Sequence, residues 1–285
     1  MWRIAYVNGL YQPHAEASIH IEDRGYQFAD GVYEVCEVLG GRLVDLGRHM
    51  ARLQRSLREL RIGMPMQLPA LEMVMREVAR RNRVRDGLVY VQVSRGVAPR
   101  DHGFPTKSVV PSLVVTAKNL SLSKREAVAQ KGIAVITVPD TRWHRVDIKT
   151  TGLLPNVLAR QAAREQGANE AWFVDKNGFV TEGASCNAWI VTREGHVVTR
   201  QADEGILTGI TRNVLKDTLA GLQITLEERA FTPDEAKQAA EAFVTSASQI
   251  VVPVIAIDGE PINGGQPGTV SMRLREEFRR FSEAL

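Results

Sequence analysis

Two cysteines, Cys36 and Cys186, supply all the thiol chemistry in 285 residues. One pair cannot build a disulfide framework. No CxxC or Cys/His cluster has metal-ligand spacing, so no zinc or other metal site is expected. Charge of one sign is also scarce: 36 Lys and Arg against 33 Asp and Glu leave +3, scattered along the chain. Nucleic-acid binding needs clustered positive charge, and no such footprint occurs. The apolar runs, such as Ile250 to Ile257, are too short to span a bilayer. The opening MWRIAYVNGLYQ lacks a long apolar core and a small-residue cleavage site. It does not read as a secretory leader, and a cytoplasmic location is expected. Neither GxGxxG nor a P-loop occurs, which removes support for a nucleotide-binding fold.

What is present is ordinary globular composition, 44% hydrophobic and 24% charged, with 23 Gly and 12 Pro. At about 150 residues per domain, the length predicts roughly two domains. Asn8-Gly9 and Gly40-Gly41 each sit between apolar strand-like runs and predict hairpins. Met50, Leu53, Leu57 and Leu60 repeat at helical spacing among arginines, and a second helix is predicted from Pro69 to Arg81. Strands are expected over 88–94 and 112–116, with the loop GVAPRDHGFP between them. The polar stretch KNLSLS, 118–123, predicts a boundary: a smaller domain over 1–118, a linker over 119–123 and a larger domain over 124–285. In the second part, strands are expected at 132–139, 172–174, 179–181, 187–192, 242–246 and 252–257. Helices are expected at 156–166, 210–219 and 269–285. Hairpins mixed with helices point to an α+β fold rather than a doubly wound sheet.

Several short blocks carry possible chemistry. In LTGITRNVLKDTL, Leu207 to Leu219, a Thr and a Gly precede an apolar-periodic helix. Free amides at such a helix start suit an anion, and a simple Thr cap accounts for the pattern as well. In RWHRVDIKTTGLLPN, Lys149 ends an alternating stretch, where desolvation frees an amine as nucleophile or base. A solvated surface lysine is the plain alternative, and Arg142, His144 and Arg145 read as a solvated face. Glu182, in VTEGASCN, is a ligand-facing carboxylate or an exposed turn residue. Arg100 and His102, two apart between Pro99 and Pro105, suit a carboxylate clamp or a solvated basic loop. His49 reads as structural, and Cys36 and Cys186 as small packing residues.

Seven blocks in order resemble the fold-type IV, or class IV, pyridoxal phosphate (PLP) enzymes, and among them the D-amino acid aminotransferases. The blocks are EDRGYQFADGVYEV, HMARL, RGVAPRDHGFP, DIKTTGLLPNVLA, VTEGASCN, ILTGITR and FVTSAS. The resemblance covers nearly the whole chain and implies a two-domain PLP transferase. Lys149 matches the lysine that carries the cofactor and shuttles the substrate Cα proton. Glu182 matches the carboxylate on the pyridine nitrogen. Arg52 and the amides of Ile210 and Thr211 match the phosphate site, and Leu207 matches the residue packed on the ring. In FVTSAS, Ala247 stands where the family often has a hydroxyl, leaving its amide and the Ser246 side chain for the phosphate. Slightly weaker cofactor retention is expected. Gly152 replaces a commoner Asn.

Tyr33, Arg100 and His102 match the substrate-carboxylate trap of the D-specific enzymes. Leu154 stands where branched-chain enzymes place a Tyr. The resemblance therefore implies ping-pong transfer of amino groups from D-amino acids, of the D-alanine and D-glutamate type, to 2-oxo acids such as 2-oxoglutarate or pyruvate. It further implies a homodimer in which the Arg100/His102 loop crosses between subunits. A 4-amino-4-deoxychorismate lyase and branched-chain or R-amine aminotransferases share the fold and are the alternatives. A cofactor-binding protein without catalysis is another, disfavoured by the presence of both Lys149 and Glu182.

Overall fold

The computed structural model describes residues 3–284, with side chains through Arg280. Met1 and Trp2, which open the segment MWRIAYVNGLYQ, and Leu285, which ends the expected final helix, lie outside the described residues. The chain forms two compact units, one of Met1–Ser121 with Ile148–Gly152, the other of Leu122–Asp147 with Leu153–Leu285.

The first unit contains β1 (Ile4–Val7), β2 (Leu10–Pro13), α1 (Arg24–Phe28), β3 (Gly31–Leu39) and β4 (Arg42–Leu43). These are followed by α2 (Leu46–Glu59), α3 (Leu68–Arg81), β5 (Gly87–Ser94) and β6 (Ser112–Asn119). Its six strands form one antiparallel sheet in the order β2-β1-β6-β5-β3-β4. Asn8 and Gly9 have φ of 47° and 102°, the conformation a two-residue hairpin turn requires. The two-residue period divides the sheet. Val32, Cys36 and Val38 of β3 join Val89, Val91 and Val93 of β5 on the face that packs against Met50, Leu53 and Leu57 of α2 and Leu71, Met75 and Val78 of α3. The opposite face carries Tyr33, Tyr90 and Gln92.

The second unit contains α4 (Leu122–Lys131), β7 (Ile133–Pro139), α5 (Leu154–Glu165), β8 (Glu170–Val174), β9 (Val180–Gly183), β10 (Asn187–Val191) and β11 (Val197–Thr199). After them come α6 (Ile210–Gly221), β12 (Leu226–Glu228), α7 (Pro233–Gln238), β13 (Glu241–Ser246), β14 (Ile250–Ile257), β15 (Glu260–Pro261) and α8 (Thr269–Ala284). Nine strands form a mixed sheet in the order β12-β11-β10-β13-β14-β7-β8-β9, with β15 also on β14. α6 and α8 cover one apolar cluster, in which Leu215, Leu219, Leu274 and Phe278 pack with Trp189 and Phe243. The two aromatic rings stack at 5.5 Å, 9° from parallel. α5 covers another cluster through Ala159 and Ala163. Among the described residues, no helix is long and apolar enough to cross a membrane.

One expected boundary needs correction. Residues 148–152 belong with the first unit, not with the larger domain over 124–285. The physical reason is backbone pairing with β3. Tyr33 N donates to Lys149 O at 3.0 Å, Thr151 N donates to Gly31 O at 3.0 Å, and Val32 bridges Thr150. Within the expected linker 119–123, Leu122 and Ser123 instead start α4, a helix with weak apolar periodicity.

Candidate active site

The pairing just described sets Lys149 beside Tyr33. Its Nζ lies 3.3 Å from the Tyr33 hydroxyl and 4.3 Å from the ring centroid. Tyr33 stacks on Tyr90 at 5.5 Å. Burial, helped by Tyr33, pushes the Tyr90 phenol up to about 12, so it stays neutral across ordinary pH. Tyr90 donates to Gln92 Oε1 at 2.7 Å, which fixes the platform. Lys149 thus stands on a rigid strand face, partly exposed.

Glu34, the next residue of β3, points to the core face and is fully buried. A lone buried carboxylate is costly, and α2 supplies its partners. Arg52 grips it with two hydrogen bonds, Nε to Oε1 at 2.7 Å and Nη2 to Oε2 at 2.8 Å. His49 Nδ1 lies 2.7 Å from Oε2. His49 and Arg52 reach the same carboxylate because they are three apart on one helix face. Burial works against the Glu34 charge, but Arg52 and His49 outweigh it and bring its pKa down to about 2. Arg52 is therefore held in one plane by a carboxylate.

Arg100 and His102 are both exposed. Their shared support is Phe28: the Arg100 guanidinium lies 4.8 Å from its ring centroid and the His102 ring 5.5 Å away. Between them, the Asp101 carbonyl accepts from Arg24 Nη1 at 2.6 Å. Asp30 in turn accepts from Arg24 and Arg95. Among the described residues, neither Arg100 nor His102 hydrogen-bonds to Tyr33 or Lys149.

In the second unit, Glu182 on β9 is buried. It forms an ion pair with Arg142 through Oε1. Its Oε2 accepts from Asn187 Nδ2 and from Leu207 N, both at 3.1 Å. Arg142 is not on a solvated face, a second correction: its side chain is 3% exposed. It reaches Glu182 while forking onto Asp140 and touching Thr181 Oγ1 at 3.1 Å. Burial opposes its charge, but Asp140 and Glu182 raise its pKa above the ordinary value. His144 is exposed and Arg145 partly so.

Asn187 joins the carboxylate to the start of α6. Its Nδ2 also donates to Leu207 O at 2.9 Å. A Cβ at Gly209 would collide with Asn187 Oδ1, so any larger residue there would push the Asn187 side chain out of its bonds to Glu182 and Leu207. Gly209 starts α6 with no side-chain cap. The first helical bond closes from Asn213 N to Gly209 O, leaving the amides of Ile210 and Thr211 ahead of it without an intrahelical acceptor. In the sheet, Asn187 pairs with Thr245, which brings Ser246 and Ala247 to the same strand end. Ser246 Oγ lies 3.4 Å from Ser248 Oγ, a second hydroxyl in this turn.

Residues 31–257 match the family amino-transferase class IV. The chain belongs to the class IV aminotransferases. It is accordingly a transaminase. It is 38% identical over 279 residues to a D-alanine aminotransferase of Staphylococcus aureus (strain N315), covering 98% of both chains. It is 39% identical over 268 residues to one of Bacillus licheniformis, covering 94% of this chain and 93% of that one. The T.th. branched-chain amino acid aminotransferase, solved in complex with N-(5'-phosphopyridoxyl)-L-glutamate, superposes with a TM-score of 0.89 at 26% identity. That match covers 98% of this chain and 94% of the other. A putative 4-amino-4-deoxychorismate lyase of Legionella pneumophila shares the fold, with a TM-score of 0.82 at 21% identity, over 94% and 96% of the chains.

In this class IV aminotransferase, the side chains fit a PLP cofactor. Within the first unit an amine is held on a tyrosine; within the second a buried carboxylate is fixed on both oxygens, and an uncapped helix start follows a glycine whose Cβ would meet the Asn187 side chain. Three residues of this machinery escaped the sequence reading. Glu34 carried a signal: it is a charge in phase with Val32 and Cys36 on a strand, opposite an arginine-rich helix. Arg142 and Asn187 lay inside blocks already singled out, but nothing in their spacing distinguishes a buried clamp from a surface polar residue. Nothing in the structure explains Gly152, where a Cβ would meet only ordinary contacts.

Proposed function

We propose that this protein transfers amino groups from D-amino acids, of the D-alanine and D-glutamate type, to 2-oxo acids, with PLP as cofactor. The observation that carries the reading is Lys149 held 3.3 Å from the Tyr33 hydroxyl, in a chain that also bears the Arg100/His102 pair. The likeness to D-alanine aminotransferases at 36–39% identity supports it.

When bound, PLP supplies an electron sink for the bond broken at the substrate Cα. Lys149 would hold the cofactor and move the substrate Cα proton as base and then acid. Tyr33 and Tyr90 fix the position from which it acts. Glu182, oriented by Arg142, Asn187 and the Leu207 amide, would pair with the ring nitrogen, and Leu207 would pack on the ring. Ile210, Thr211, Ser246, Ala247 and Arg52 hold the phosphate. Arg100, His102 and Tyr33 bind the substrate carboxylate, which turns the Cα–H of the D-enantiomer toward Lys149. The exposure of Arg100 and His102 supports a homodimer in which this loop serves the partner's site. The near absence of cysteine supports a cytoplasmic location.

Arg100→Ala tests the carboxylate role. KM for D-alanine should rise about a hundredfold, as expected for loss of a charge-assisted carboxylate pair, with PLP affinity unchanged. An equal loss in both would place Arg100 elsewhere. Turnover of aminodeoxychorismate by a protein inert to D-alanine would favour the lyase instead.

A further inference from the structure

The turn joining β13 to β14 carries Ser246 and Ala247 and ends at Ile250, whose φ is +65°. That left-handed region suits glycine or asparagine, and a β-branched side chain there is an outlier. Ile250 cannot relax outward, because its side chain is buried with Trp189, Leu215 and Leu274. Arg275 of α8 binds the backbone on both sides of it. Its Nη1 donates to Gln249 O and to Val251 O, both at 2.6 Å, the carbonyls on either side of Ile250. Arg275 is itself 1% exposed and pairs with the Glu126 carboxylate at 3.3 Å. α8 is anchored to the other end of the same strand, where Glu241 accepts from Val270 N at 2.8 Å and Ser271 N at 2.9 Å. The helix therefore spans β13 from its first residue to its closing turn.

We infer that Arg275 is a positioning residue that holds the 246–250 turn, through left-handed Ile250, in the shape that receives the cofactor phosphate. The inference rests on the assignment of Ser246 and Ala247 to that phosphate. Amides and hydroxyls bind an anion well when they are set beforehand, and a turn free to relax loses affinity by the cost of resetting it. Arg275 touches neither cofactor nor substrate. Its effect passes through two carbonyls, and the strain it restrains vanishes if residue 250 is glycine.

The test titrates apoprotein with PLP and follows the visible band. Arg275→Met should weaken PLP binding about tenfold, the scale of a left-handed penalty for a side-chain-bearing residue. Adding Ile250→Gly should restore most of the affinity, and adding Ile250→Ala should not. Both substitutions remove nearly the same packing, but only glycine adopts positive φ freely. Arg275→Lys repeats the contrast with a smaller loss if the Met variant does not fold. Equal affinities for the Gly and Ala double variants, or wild-type affinity for Arg275→Met, would overturn the inference alone. A wild-type protein that develops no band with PLP would overturn the cofactor assignment and the inference with it.

Discussion

At the scale of single residues, Glu34 couples stability to pH. Its carboxyl ionises near 2 in the folded chain against an ordinary 4.5, because Arg52 and His49 outweigh the effect of burial. A lowered folded-state pKa gives stability that is fully present above pH 4.5. It drains away as pH falls from there through about 2, since the unfolded chain takes up the proton first. Glu34→Gln should lower stability at neutral pH by about 3 kcal/mol, since Arg52 is left beside a neutral amide. The gap in urea midpoint between variant and wild type should close as pH approaches 2. A gap that stays constant over that range would show that the charge of Glu34 is not what stabilises the pair.

The elements differ in how far they were legible. Hairpins at Asn8-Gly9 and Gly40-Gly41 and the helices α2, α3 and α6 follow from turn chemistry and from apolar residues at helical spacing. α1, α4 and α7 are short or weakly periodic, so packing decides them. The segment 148–152 was illegible for a different reason. Its pairing with β3 is a long-range backbone contact, and no residue in DIKTTG announces it. The site residues were readable only as family blocks. The local patterns around Lys149, Glu182 and Gly209 each admitted a plain structural explanation. Arg142, in the turn after β7, shows what was lost, since burial against Asp140, Thr181 and Glu182 is a property of two elements meeting. Arg142→Gln should release Glu182 Oε1 from its ion pair and slow removal of the Cα proton about a hundredfold, the cost of a misplaced group. The ratio of D- to L-alanine reactivity should not change. A single-turnover rate equal to wild type would remove Arg142 from the site.

At the scale of the whole molecule, the proposed sharing of the Arg100/His102 loop predicts that two impaired proteins complement each other when D-alanine is kept well below the raised KM of Arg100→Ala. Lys149→Ala and Arg100→Ala alter the two sides of a site that the dimer reading builds from different subunits. Unfolded together and refolded as mixed dimers, they should recover up to about a quarter of wild-type activity, because half of the dimers carry one intact site. No recovery from a mixture proven to contain mixed dimers would place both residues in one subunit's site.

The most direct measurement is a half-reaction on the PLP-loaded protein with a single amino acid and no 2-oxo acid. D-alanine should bleach the visible cofactor band, and L-alanine should leave it intact over the same time. Bleaching by L-alanine at an equal or greater rate, or none with D-alanine, would contradict a D-amino acid transaminase built on Lys149.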